Sequence, residues 1–415
     1  MATDPYQQGF CERYYEMQIS THANPKRASV LILGNGLSGR AAERLVAKLG
    51  FSATVVDGDD PMPDGEFAFA VASPGIAPSH PWRVTCQKRG IPVKSELQFG
   101  VEECRRLGMR LLAVTGSKGK SSVVKLVADA LCLAGKSADP CGNYGKPVCE
   151  VALEGAAKWA VVEVSSFQME TTHLPGDAFE AAAILNLQED HLDRHGSVEV
   201  YHSLKRNLLN MARRGIGPEE CLAAAESSRP LFAGSYFDNS VLMANGAAAV
   251  WLLRAAGLHD EMIANAFSRF EPLPHRMNLV GEFGGVRYVD DSKATSLAAL
   301  AAGVKMAGGS VRLVAGGLPK GDDPKSVIPL LTKRVKKVYL IGRCAEMFSS
   351  AWSGAVDCEV CGVMEKAVES AMRDAEKGDT VLLSPGTASF DQFKSYGQRG
   401  DVFAKLVKKE GQKKK

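Results

Sequence analysis

No apolar run in the 415 residues approaches the ~18 that a membrane-spanning helix needs. The opening Met1-Ala2-Thr3-Asp4-Pro5 lacks the basic-then-apolar order of a signal peptide, so a cytoplasmic location is expected. Charge of one sign is missing too. Fifty basic and 47 acidic residues leave +3, part of it in the terminal Lys413-Lys414-Lys415, which reads as a solvated end. That balance gives no nucleic-acid footprint, and neither nucleic acid nor membrane is an expected partner. The ten cysteines are scattered singly, apart from Cys358 and Cys361, which form one CxxC with no second pair or nearby histidine. Reduced, buried thiols are expected rather than a disulfide framework or a zinc site.

What is present is an ordinary globular composition, 45% hydrophobic and 23% charged, which excludes a wholly disordered chain. Glycine, at 41 of 415, exceeds the usual roughly 7% and signals many tight turns. The length suggests two or three domains at roughly 150 residues each. Residues 1–28 are polar and unpatterned, a leader. Val30-Leu31-Ile32-Leu33 then reads as a strand, Gly34 to Gly39 as a glycine turn, and Arg40 to Leu49 as a helix ending at Gly50. The same strand, glycine loop and helix recur from Leu111 through Gly116-Ser117-Lys118-Gly119-Lys120-Ser121 to Leu133. A third start follows the stiff Glu271-Pro272-Leu273-Pro274. Strands alternating with helices imply mostly parallel sheets, with ligands at the carboxyl ends of the strands. The expected architecture is α/β in three domains: a Rossmann-like one over 1–98, a central P-loop ATPase-like parallel sheet over 99–273, and a Rossmann-like one over 274–415.

Gly34-Asn35-Gly36-Leu37-Ser38-Gly39 matches GxGxxG between a strand and a helix, with Asp57 about 20 residues on. Its amides and helix terminus suit a diphosphate, whether of a nicotinamide cofactor or another nucleotide, and a merely tight turn is the plain alternative. The second loop ends in G-K-S, supplying an amide nest, Lys120 for phosphates and Ser121 for Mg²⁺, although Val114 takes the place of the usual first glycine. Glu163 closes one strand and Asp190-His191 another, where oxygen and nitrogen ligands could meet a metal. A salt-bridged edge carboxylate is the alternative. Lys293, in Asp290-Asp291-Ser292-Lys293-Ala294-Thr295, marks a strand end whose polar residues could equally be caps. His275-Arg276 and Lys320 add cations at loops that would suit an anionic substrate.

Together, Gly34 to Gly39, Ser73-Pro74-Gly75-Ile76-Ala77, Thr115 to Ser121, Asp190-His191-Leu192-Asp193-Arg194, Leu273-Pro274-His275-Arg276 and Asp291 to Thr295 resemble the ATP-dependent Mur ligases. Ser165-Ser166-Phe167-Gln168 and Ala388-Ser389-Phe390-Asp391-Gln392-Phe393 resemble the branch that adds D-glutamate to UDP-N-acetylmuramoyl-L-alanine. The resemblance implies a monomeric ADP-forming ligase of peptidoglycan precursors that uses ATP and one or two Mg²⁺ ions. It implies that Gly36, Leu37, Ser38, Asp57 and Ser73 face the uridine diphosphate, with Asn143 nearer the sugar. ATP would meet Gly116, Ser117, Lys118, Gly119, Lys120, Ser121, Asn245, Arg276, Asp291 and Lys293. Ser121, Glu163, His191 and a carbamylated Lys205 would hold metal. Carbamylation needs a neutral amine, which burial or nearby cations provide. Thr295, Lys320, Ser389, Phe390 and Tyr396 would hold D-glutamate.

In the implied reaction the alanine carboxylate takes the γ-phosphoryl group, and the amine of D-glutamate attacks the acyl phosphate while a closing third domain excludes water. The chain departs from the family at three places. Lys118 stands for the usual Asn, Pro319 for the common Asp, and the segment between Lys205 and Asn245 is short and lacks the usual His-Asn. Competing readings are a sister or folylpolyglutamate ligase with another acceptor, a nicotinamide-dependent oxidoreductase built on the first loop, and a silent scaffold descended from a ligase.

Overall fold

The computed structural model describes residues 29–413; the leader 1–28 and Lys414-Lys415 lie outside the described residues. Three α/β sheets follow one another along the chain, as the alternating pattern predicts. The first holds β1 (Ser29–Leu33), β2 (Ser52–Val56), β3 (Phe69–Ala72) and β4 (Val93–Ser95) in the order β2-β1-β3-β4, all parallel. Val30 to Leu33 are fully buried, because helices cover both faces of such a sheet and a continuous apolar run is what those faces require. The chain leaves β1 to one side and returns on the other, so the crevice between the carboxyl ends of β1 and β3 is a topological switch point. The first glycine loop lines it.

The second sheet holds β5 (Arg110–Thr115), β6 (Ala138–Gly142), β7 (Trp159–Glu163), β8 (Ala181–Ile184) and β9 (Gly215–Ile216), ordered β6-β7-β5-β8-β9 and parallel throughout. The loop after β5 therefore emerges between the ends of β7 and β8. This places Glu163 and the segment 186–191 on its two flanks.

A cut at residue 98 falls inside the helix Glu96–Arg106, which packs on the helix Val148–Glu154 of the second sheet. Glu96, fully buried, accepts the Cys149 N–H at 2.7 Å, and a Cβ on Gly100 would lie 2.7 Å from that same nitrogen. Val30 and Ile32 share one apolar core with Ala113 and Val162. The two sheets thus belong to one compact unit, running to Ser235 and including Met243–Phe270.

Tyr236–Leu242 and the chain from Glu271 onward form the second unit. Its sheet holds β10 (Asn278–Phe283), β11 (Val286–Asp290), β12 (Ser310–Gly316), β13 (Val335–Ile341), β14 (Asp357–Gly362) and β15 (Asp379–Leu383), ordered β10-β11-β15-β12-β13-β14. Only β10 runs antiparallel, joined to β11 by Gly284-Gly285, both at positive φ. Because β15 inserts between β11 and β12, three loops far apart in sequence open at neighbouring strand ends.

Among the described residues no helix is long and apolar enough to cross a membrane, and the described cysteines are free thiols. Burial pushes the Cys358 and Cys361 thiols up to about 11, so this CxxC holds protonated thiols at neutral pH.

Candidate active site

The first loop is shaped by close backbone approach. Gly34 sits at φ +93°, and a Cβ on Gly39 would stand 1.8 Å from the Gly34 carbonyl oxygen. Gly36 caps the helix Leu37–Lys48 with no side-chain bond, leaving its first turn open to an anion. The Asp57 carboxylate accepts the Asn35 N–H at 3.1 Å, and the Ser73 hydroxyl donates to the Gly34 carbonyl at 3.3 Å. Leu37 is 74% exposed at the mouth. The structure thus brings Gly36, Leu37, Ser38, Asp57 and Ser73 to one crevice.

The second loop carries cations instead. Gly119 (φ +86°) begins the helix Lys120–Leu133, and Asn245, buried on the helix Met243–Ala255, lies 2.1 Å from where a Cβ on Gly119 would be. Asn245 therefore lies against the phosphate loop despite the shortened segment before it. The Lys120 ammonium donates to the carbonyls of Gly116 (2.8 Å) and Ser117 (3.3 Å). Lys205 donates to the same Gly116 oxygen at 3.1 Å and stands 4.7 Å from the centre of the Tyr201 ring. Lys205 is 1% exposed, and its burial, with the charge of Lys120 adding, pushes the amine down to about 7. An amine with a substantial neutral fraction at neutral pH is what carbamylation requires.

Glu163 pairs in register with Val114 at the end of β7. One of its oxygens accepts the Asn143 side-chain N–H at 2.7 Å; the other, Oε2, is buried without a partner. An unpartnered buried carboxylate oxygen is costly and fits a hard cation. His191 is exposed, its ring 4.9 Å from Phe167, and its φ of +53° is an uncommon conformation for a non-glycine residue. Among the described residues no three His, Cys, Asp or Glu side chains gather into a metal cluster, so a cation here would draw further ligands from phosphate or water.

In the second unit the predicted residues meet at the ends of β11, β15 and β12. Asp291, after β11, accepts the Ser384 hydroxyl at 2.9 Å, and burial lifts its carboxyl to about 7. Lys293 stands 3.8 Å over the Tyr396 ring and its N–H donates to the His275 carbonyl at 3.0 Å, which ties it to the Arg276 segment. His275 and Met277, on either side of Arg276, both have positive φ, a strain that sequence patterns do not signal. Leu318 and Ala388 exchange backbone hydrogen bonds, so the Lys320 loop and the Ser389-Phe390 loop run side by side beyond the sheet. Ser389 is buried, Phe390 is 71% exposed, and Thr295 precedes the helix Leu297–Met306.

Three residues escaped the sequence reading. Asn186 receives the amides of Ser117 and Lys118, through its backbone and side-chain oxygens respectively. Tyr201 places its hydroxyl 3.1 Å from Ser117 Oγ. Arg399, fully buried, binds Ser292 Oγ (3.0 Å) and the carbonyls of Ser292, Thr387 and Ala388, so it clamps the β11 and β15 loops together. Their only signal was a polar residue at a strand end or just inside a helix, which many surface positions share.

The Mur ligase middle domain matches residues 114–217, and the Mur ligase glutamate ligase domain matches residues 275–386. The UDP-N-acetylmuramoylalanine–D-glutamate ligase of Chlamydia caviae is 31% identical, covering 92% of this chain and 98% of that protein. The enzyme of the same name from Nitratidesulfovibrio vulgaris is 34% identical over 91% of this chain and 95% of its own length. The MurF ligase of Thermotoga maritima, solved in complex with ADP, superposes with a TM-score of 0.59 at 15% identity. It covers 94% of this chain and 96% of that one, a likeness of fold.

Proposed function

The chain belongs to the Mur ligase family, and on that premise we propose that it joins D-glutamate to UDP-N-acetylmuramoyl-L-alanine, consuming ATP and releasing ADP and phosphate, as a cytoplasmic monomer. The observation that carries this reading is the convergence of Lys120, Lys205 and Glu163 on one phosphate loop. Lys120, now folded onto the loop's own carbonyls, turns to the β- and γ-phosphates, with Gly116, Ser117, Lys118, Gly119 and Asn245 around them. Ser121, Glu163, His191 and Lys205 would hold one or two Mg²⁺ ions, whose charge offsets that of the phosphates. Lys205 would become a ligand once its neutral amine adds to CO2: the nitrogen lone pair forms the C–N bond, one proton leaves the nitrogen, and a carbamate anion stands beside Lys120 in place of the amine.

The first crevice, through Gly36, Leu37, Ser38, Asp57 and Ser73, holds the uridine diphosphate. Asn143, bonded to Glu163, links the sugar end to the catalytic end. The alanine carboxylate takes the γ-phosphoryl group, the free amine of D-glutamate attacks the acyl carbon, and the tetrahedral intermediate expels phosphate. Thr295, Lys320, Ser389, Phe390 and Tyr396 hold D-glutamate, Lys320 pairing with a carboxylate. Arg276, Asp291 and Lys293 serve the nucleotide. A nicotinamide reading of the first loop would leave the lysines of the second without work.

The test is phosphate release from the protein mixed with ATP, Mg²⁺ and UDP-N-acetylmuramoyl-L-alanine. Release is expected with D-glutamate and not with L-glutamate, lysine or diaminopimelate. Equal release with diaminopimelate would sink the assignment of acceptor.

A further inference from the structure

We infer that Lys118 is a phosphate-seeking cation parked on Asp190, and that it sets how strongly the second loop prefers a nucleoside triphosphate to the diphosphate product. The inference rests on the nucleotide reading of that loop and adds to it a determinant of selectivity.

A glycine loop ordinarily offers its amides to an anion. Here the Ser117 N–H donates to the Asn186 carbonyl at 3.0 Å and the Lys118 N–H to Asn186 Oδ1 at 2.8 Å. Asn186 Nδ2 returns a bond to the Lys118 carbonyl at 2.9 Å. Two amides are thereby spent, and the Lys118 backbone is pinned from both sides. Its side chain instead reaches out to solvent. The ammonium lies 3.3 Å from Asp190 Oδ2, and the two side chains are 46% and 29% exposed.

A solvent-screened pair of this kind is weak. A triphosphate presents several negative charges where Asp190 presents one, so exchange of partners is favoured by Coulomb attraction. Asp190 keeps the His191 N–H at 3.1 Å, and being partly exposed it is not stranded when Lys118 leaves. Lys120 holds the Gly116 and Ser117 carbonyls and Lys205 is buried, which leaves Lys118 as the solvent-facing lysine of the three. A diphosphate, with less charge to offer, competes less well with Asp190.

The experiment titrates ATP and ADP separately into the full chain by calorimetry, at low and high salt, for the unchanged protein, Lys118→Asn, Lys118→Arg and Asp190→Asn. No acceptor is present, so the result does not depend on D-glutamate. Lys118→Asn is expected to weaken ATP about tenfold and ADP about twofold or less, and to flatten the salt dependence of ATP binding. Lys118→Arg should keep the preference for ATP. Asp190→Asn, which frees the lysine, should tighten ATP about threefold. An ATP-to-ADP ratio in Lys118→Asn within twofold of the unchanged protein, or unaltered ATP affinity in Asp190→Asn, would overturn the inference while leaving the nucleotide reading intact. Failure of the unchanged protein to bind either nucleotide would overturn both.

Discussion

The two glycine loops of the first unit use one backbone device for different ends. Each follows a buried parallel strand, turns through glycine at positive φ and opens the first turn of a helix to an anion. Around the first, Asp57 and Ser73 bond to the loop itself, and Arg40 spends a guanidinium N–H on the Asn35 carbonyl at 2.6 Å. Around the second, three lysines and a buried glutamate converge. On the proposed reading, the backbone of each loop would take a phosphate. Side-chain charge would then decide whether the phosphate is only held or also transferred.

The sharpest way to break that contrast is Lys120→Ala. Phosphate release should fall by about 10³-fold or more, while UDP-substrate affinity, measured by calorimetry, stays within about twofold. Loss of both would mean the loops are not separate devices. Gly39→Ala comes next: its Cβ would meet the Gly34 carbonyl at 1.8 Å, and denaturant unfolding should show a loss of about 3 kcal/mol.

The pH profile tests the charged loop alone. With the Lys205 amine at about 7, the neutral fraction, and activity with it, should fall about tenfold per unit as pH drops below that value, while UDP-substrate binding holds. The native state sheds this proton near 7 and the unfolded chain keeps it toward 10.5, so stability should rise with pH across that window. Lys205→Met should abolish the rise. Smallest is Gly36→Ala, where nothing lies within 4 Å of the added Cβ. Unfolding should shift by no more than about 0.5 kcal/mol, and any larger shift would mean that the loop is not open at Gly36.

Much of the site was legible because strand ends announce themselves as apolar runs stopping at glycine or polar residues. That signal found Gly34–Gly39, Gly116–Ser121, Glu163 and Asp291. Lys205 and Asn245 were found only through resemblance: each sits within a helix, where nothing local distinguishes an exposed residue from one turned onto a loop. Asn186 and Tyr201 lay beyond reach because their work is done across 68 and 84 residues of chain, and Arg399 because it ties its neighbours' carbonyls to Ser292, 107 residues away. The division at residue 98 shows the same limit, since shared burial across Glu96–Arg106 cannot be inferred from where one pattern stops and another begins.

By itself the sequence determined the three-sheet α/β order and the two glycine turns between strand and helix, because hydrophobic period and glycine act over a few residues. Only the tertiary structure decided which ammonium loses its proton, which carboxylate oxygen goes unpartnered and which lysine faces solvent. Those properties depend on the water and the charges that distant segments exclude or supply, and no local pattern carries them.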